Sequence, residues 1–417
     1  MHEDKILIRM ARINLLQREN SSAIGKSGKK ARHITTLHIE NFRAIGELEY
    51  HPHQINIITG QNNTGKSALL DAVFINATGG EEIHSFNSPS EIYNIHIQAN
   101  QAVLTSDITE VTIYRSLEDC RKADPEIYGK IRNDIIEHIS DVFIHGEEYG
   151  DDLDQYLTTI FAYTDFCITV SDFSFHVFPY YPKGKDILRK ELDAIGGMQV
   201  RQTPAAKKGK TINFRDVKIF QLFPGRWATY RDPSFVEETL SVNKLSHSDK
   251  FQIDTIGDTE IHLLEQFIKE HDLVKNMERL TQKNVLYRKN GEIEEIPISA
   301  HGDGFIVLLT ILHSLLQSEN GILIIEEPEN HLHPRYLGVL IETLFTYCRQ
   351  LNVQVFMATH SYDLIQGALE FPETEAEKEM LLISKMTSDG ETIEKFDYTT
   401  DAGLKVINEL YLDLRGI

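Results

Sequence analysis

An α/β fold organised around a phosphate-binding loop is predicted by three features of this chain. In INIITGQNNTGKSALLDAVF, Ile55 to Phe74, an apolar strand runs into a Gly-rich turn and then into an apolar helix. In GILIIEEPENHLHP a second apolar strand ends in two carboxylates, Glu326 and Glu327. In VFMATHS a third ends in Thr359, His360 and Ser361. Short apolar runs alternating with helical patterns indicate strands buried on both faces and joined by helices.

The elements follow in order. The first 32 residues are polar and basic, with SSAIGKSGKK, and read as a flexible arm. From His33, ITTLHIENFRAIGELEYHPHQINIITG alternates apolar and polar residues in two or three strands leading to the Gly-rich turn, and strand signals recur at Val103 to Ile113. Leu117 to Phe166 changes to helical spacing, as in Ile131, Ile135, Ile136 and Ile139. An aromatic-rich mixed stretch follows, then a helix over Glu260 to Thr281 and a hairpin turning at Asn290-Gly291. The remainder reads as a helix from Gly304, a strand at Ile322 to Ile325, a helix from Pro334, a strand at Val353 to Ala358, and a final strand and helix. The domain plan is therefore an arm over 1–32, an N-terminal lobe over 33–115, an insertion over 116–284, helical then mixed, and a C-terminal lobe over 285–417.

The 417 residues suffice for two or three domain-sized units, and 41% apolar content supplies their core. No apolar run reaches membrane-spanning length, and MHEDK is followed by no signal-type apolar stretch, so a cytoplasmic location without membrane contact is expected. Cys120, Cys167 and Cys348 stand far apart, which predicts buried reduced thiols rather than a disulfide framework or zinc site. A net charge of -21 argues against a surface that grips nucleic acid all over. Basic residues gather only in the arm and from Lys183 to Arg231, where a solvated loop competes with a local DNA contact.

Gly60, Gln61, Asn62, Asn63, Thr64, Gly65, Lys66 and Ser67 fit G-x-x-x-x-G-K-[ST], with the strand before and the helix after that the motif needs. Backbone N–H groups of such a loop and of the helix opening at Ala68 wrap nucleotide phosphates. Lys66 then neutralises β/γ charge, and the Ser67 hydroxyl takes a place on Mg²⁺. The carboxylates Glu326 and Glu327 would be costly at a buried strand end without cations nearby. In a phosphate-loop ATPase the first completes the Mg²⁺ shell and the second polarises the attacking water. His360 at the next strand end is placed to touch the γ-phosphate. Upstream, ISAHGDGFIVLLTILHSLL sets Ser299, Gly302 and Gly304 at the opening of an apolar helix, a second anion site or a plain loop.

These four elements, in this order, resemble the ABC-type ATPases of the SMC/RecF/OLD group. The opening LHIENFRAIGELEY with its phosphate loop is similar to that group, and IIEEPENHLHP followed by ATHS resembles its OLD-like branch. The likeness covers Ile34 to Ile113 and Val285 to Ser361. It implies a phosphate-loop NTPase of ABC type, α/β, with a head split by a mixed α+β insertion. It further implies two heads sandwiching two ATPs, each loop facing Ser299, Gly302 and Gly304 of the other copy, and Arg43 near the α-phosphate or adenine. SAHGDG departs from the LSGGQ of transporters, and Glu326 stands where an Asp is usual, one methylene longer. No residue stands out as the glutamine of the Q-loop, for which Gln98 is a candidate. His331 and His333 would share a face in a strand, but the resemblance places them at the dimer interface beside the nucleotide rather than on a metal.

OLD-like nucleases carry a further acidic, metal-holding domain, and only a short tail follows His360. In GEEYGDDLDQYL, Asp152 and Asp154 lack a preceding apolar strand and read as a solvated helix start. The reading is an ATPase that serves as sensor or scaffold for a separate effector, in defence against phage or plasmids. The alternative is a RecF-like DNA repair ATPase that clamps DNA in its ATP state. A transporter ATPase fits worse, because the insertion is longer than a transporter head needs.

Overall fold

The computed structural model describes residues 33–80, 101–142, 165–171, 174–180, 228–231, 241–245, 257–289, 291–332, 334–409 and 414–415. Its first three strands are β1 (Leu37–Phe42), β2 (Ile45–Tyr50) and β3 (Ile55–Gly60), and β3 enters helix α1 (Lys66–Ala77). Strands β4 (Gln101–Ser106) and β5 (Glu110–Tyr114) lead to helices α2 (Leu117–Ala123) and α3 (Pro125–Val142). Then come β6 (Asp165–Ser171), β7 (Ser174–Tyr180), β8 (Ala228–Arg231) and β9 (Val242–Leu245). Helix α4 (Asp258–Glu270) precedes β10 (Met277–Leu280), β11 (Asn284–Lys289) and β12 (Glu292–Pro297). The C-terminal part contains α5 (Asp303–Gln317), β13 (Ile322–Glu326), α6 (Pro334–Leu351), β14 (Gln354–Ala358) and α7 (Tyr362–Glu370). It closes with α8 (Glu375–Lys378), β15 (Leu381–Ser388), β16 (Ile393–Thr399) and α9 (Thr400–Asn408).

The strands form a six-stranded sheet, β16-β15-β3-β14-β13-β9, an antiparallel seven-stranded sheet, β2-β1-β4-β5-β6-β7-β8, and a three-stranded sheet, β10-β11-β12. In the first of these β15, β3, β14, β13 and β9 run parallel, and β16 returns antiparallel along the edge. Because side chains alternate along a strand, this sheet divides the interior in two. Ile55, Ile57, Leu323, Ile325, Val355 and Met357 face a core shared with α4 through α7. Ile58, Ile322, Ile324, Phe356 and Ala358 face α1 and, beyond it, the inner residues of β1, β2, β4 and β5. Helix α1 thus lies between the two large sheets, which fixes the direction in which its first turn points.

Three readings from sequence are corrected. The helix over Glu260 to Thr281 ends at Glu270, and Met277–Leu280 is a strand paired with β11. Asp272 and Asn276, at φ 46° and 57°, turn the chain there in a conformation no helix continues. The final strand is two strands, β15 and β16, joined as a hairpin. Within the span 116–284 read as an insertion, β6 to β8 extend the sheet begun by β1, and β9 pairs parallel with β13 in the six-stranded sheet. Residues 242–245 are therefore part of the same sheet as β3, β13 and β14. The β11–β12 hairpin forms as expected, with Lys289 opposite Glu292 and Gly291 at φ 88°.

Cys120 and Cys348 are buried free thiols, and burial, helped by Asp124, pushes Cys120 up to about 12. Among the described residues no helix is long and apolar enough to cross a membrane. The arm, the segment 183–227, Gln98, Asp152, Asp154 and His333 lie outside the described residues.

Candidate nucleotide site

The C-terminal ends of three neighbouring parallel strands, β3, β14 and β13, carry the predicted chemistry. Ligands of open α/β sheets gather at such strand ends. At the end of β3 the loop turns through Gly60 at φ 141°, Asn63 at φ 62° and Gly65 at φ 91°. A Cβ on Gly60 would stand 2.2 Å from the Met386 carbonyl oxygen, and one on Gly65 would stand 2.6 Å from Ile393 Cδ1. Both glycines are thus demanded by the β15–β16 hairpin packed on the loop as well as by the turn. Gly60→Ala should cost about 2–4 kcal/mol, because the fixed backbone oxygen cannot yield. Circular-dichroism melting checks this, and an unchanged midpoint would count against the close approach.

Thr64 Oγ1 donates to the Gln61 carbonyl at 2.9 Å and steadies the loop from inside. Lys66 is buried, and its ammonium donates to the carbonyls of Gly60 at 3.0 Å and Gln61 at 2.6 Å. Burial lowers the Lys66 pKa, while the nearby Glu327 carboxylate works in the opposite direction. Gln61, Asn62, Asn63 and Ser67 are exposed around the loop, and Ala68 is buried beneath it.

Glu326 closes β13. Glu327 follows in the left-handed region at φ 46°, which turns its side chain out of the strand alternation, and its N–H is held by the Ala358 carbonyl at 2.9 Å. A non-glycine residue held there signals strain of a kind that clusters at functional sites. Asn330 Nδ2 donates to Glu327 Oε2 at 2.9 Å, and His360 Nε2 stands 3.7 Å from Glu327 Oε1. The two strand ends therefore deliver the predicted base and histidine to one place.

Three residues of this neighbourhood were not read from the sequence. Glu329 lies in the 3-10 turn Pro328–His331. Its Oε1 accepts from Thr359 Oγ1 at 2.7 Å, His360 N at 2.6 Å and Ser361 N at 3.1 Å. One carboxylate oxygen thus fixes the backbone carrying His360. A third carboxylate two residues after a strand-end pair was the available signal. Lys244 on β9 reaches Asp71 Oδ1 at 2.6 Å and Glu326 Oε1 at 3.0 Å. Asp71, one turn after Ser67 on α1, also accepts from Arg43. No local motif marks Lys244 or Asp71. His331 sits in the same 3-10 turn and not in a strand.

The upstream segment behaves as a helix opening. Gly302 caps α5, Ser299, Gly302 and Asp303 are exposed, and a Cβ on Gly302 would meet nothing within 4 Å. Tyr287 and His301 hydrogen-bond at 2.5 Å and stack, which anchors this opening to β11.

A family model described as "AAA domain, putative AbiEii toxin, Type IV TA system" matches residues 183–366. An ATP/GTP phosphatase of Helicobacter pylori is 23% identical over 347 residues, covering 80% of this chain and 86% of that protein. The DNA replication and repair protein RecF of Shewanella woodyi is 32% identical over 110 residues, 26% of this chain and 28% of that protein. An SMC head domain from Thermotoga maritima is similar at 12% identity and a TM-score of 0.41, covering 88% of this chain and 99% of that one. With the phosphate loop at the end of β3 and the carboxylates at the end of β13, the fold is that of a phosphate-loop ATPase. The chain is similar to SMC/RecF-type ABC ATPases.

Proposed function

We propose that this chain binds ATP with Mg²⁺ and hydrolyses it between two copies of itself. The closure that results serves as a switch for a separate effector protein, in the manner of the OLD-like ATPases and their defence against phage. The observation that carries this reading is the pairing of a complete strand-end half-site with an exposed helix opening. Lys66, Glu326, Glu327 and His360 stand at adjacent strand ends, while Ser299, in the turn before α5, is exposed and Gly302, which caps α5, faces open space.

In this reading the loop N–H groups from Gln61 to Ala68 wrap the phosphates, and Lys66 balances their β/γ charge. Ser67 and Glu326 offer the hard oxygen donors that suit Mg²⁺, whose charge, when bound, eases departure of the γ-phosphoryl group. Glu327 accepts the proton of the attacking water, and His360, steadied through Glu329, addresses the γ-phosphate. Arg43 serves the α-phosphate or adenine side. Ser299, Gly302 and Gly304 act in trans on the other copy's γ-phosphate.

Light scattering on Glu327→Gln tests the two-copy site. The variant should be a dimer or larger with Mg-ATP and return toward monomer without it. A monomer under both conditions at micromolar protein would remove the sandwich. The similarity to RecF favours a second reading, DNA clamped in the ATP state through the basic residues between Lys183 and Arg231. ATP-dependent retention of a DNA duplex by the same variant in a gel-shift assay supports that reading over an effector switch.

A further inference from the structure

Lys244 and Glu326 share one face of the six-stranded sheet. Lys244 pairs with Ile324 in parallel register, Glu326 lies two residues beyond, and both therefore project toward α1. On α1, Asp71 follows Ser67 by four residues, so the two lie on the same helix face. Lys244 closes the gap, with its ammonium 2.6 Å from Asp71 Oδ1 and 3.0 Å from Glu326 Oε1 and its side chain 22% exposed. Asp71 is held in turn by Arg43, and the Lys244 ammonium lies 5.8 Å from the centroid of the Phe74 ring.

We propose that Lys244 is a positioning residue of the ATPase site, pinning one oxygen of Glu326 so that the other is presented to the metal beside Ser67. The proposal rests on the ATPase reading above and goes one step beyond it. Glu326 carries one methylene more than the aspartate usual at this strand end, and that extra rotor must be held if the carboxylate is to keep one geometry. An ammonium anchored from the far side by Asp71 does this. Carboxylates that bind metals are themselves oriented by hydrogen bonds from behind, and removing such a partner typically costs about 10–100-fold in metal affinity or activity.

Lys244→Met keeps the length of the stem and removes the charge. Its kcat for ATP should fall about tenfold or more with the ATP KM within about twofold. Mn²⁺ affinity of the ATP complex, read by electron paramagnetic resonance in a Glu327→Gln background where no turnover interferes, should weaken by about tenfold. Glu326→Asp cannot span to Lys244, so adding Lys244→Met to it should change neither quantity by more than about twofold. Lys244→Gln, which removes the charge and shortens the stem, is read in the same assays should the methionine variant not fold, with kcat and Mn²⁺ affinity again expected to fall. Unchanged kcat and Mn²⁺ affinity, tighter Mn²⁺ binding, or a full effect persisting in the Glu326→Asp background would each overturn the role of Lys244. Absence of ATP hydrolysis by the wild-type chain would instead overturn the underlying reading of the site.

Discussion

Glu327→Gln is expected to retain ATP binding while hydrolysis falls by on the order of 10²–10⁴-fold, the usual contribution of a positioned general base. The amide has the volume of the carboxylate, and its oxygen still accepts the 2.9 Å bond from Asn330, so the turn after β13 keeps its shape. What it loses is the capacity to take the water's proton. The left-handed backbone at Glu327, with its N–H tied to the Ala358 carbonyl, leaves the side chain little freedom to be replaced by Glu326 or Glu329. Glu326 is already engaged by Lys244, and the Oε1 of Glu329 is committed to Thr359, His360 and Ser361. Phosphate release measured beside fluorescent-ATP binding checks the split. Turnover at the wild-type rate would remove Glu327 from the chemistry.

The same residues explain why part of the site was legible in the sequence. A phosphate loop is a local object: Gly60, Gly65 and Lys66 lie within seven residues, and their spacing reflects the backbone turn they must make. Strand-end pairs such as Glu326–Glu327 are legible for a similar reason, since four apolar residues announce a buried strand and carboxylates at its end need a partner. Contacts between distant segments carry no such mark. Lys244 meets Asp71 across 173 positions, and Glu329 meets His360 across 31. Neither follows from periodicity. The helix read through Thr281 failed for another reason. Its apolar spacing continues past Glu270, but Asp272 and Asn276 adopt positive φ and the pairing of Met277–Leu280 with β11 overrides the local pattern. Likewise β9 is only four residues long, too short for a periodic signal, and its place in the six-stranded sheet comes from its ladder with β13.

Lys66→Ala should act on binding rather than on turnover of bound ATP. The ammonium is buried and donates to two loop carbonyls, at 3.0 Å on Gly60 and 2.6 Å on Gln61, so it already occupies the floor of the loop. Burial makes its charge costly, and the compensation nearby comes from Glu327 and loop dipoles. A β/γ-phosphate pair arriving there gains an ammonium that has already been desolvated, which is where a charge-assisted hydrogen bond is strongest. Truncating one partner of such a buried pair costs about 2–5 kcal/mol, equivalent to roughly 30- to 4,000-fold in affinity. The loss should be specific to the phosphates. Adenosine, which lacks them, should bind Lys66→Ala and wild type alike, whereas ATP should discriminate between them by that factor in a fluorescence titration. Melting curves without nucleotide control for the two lost loop bonds, worth about 1.5–3 kcal/mol each as bonds to a charged group. Undiminished ATP affinity in the folded variant would show that the loop does not hold the phosphates through Lys66.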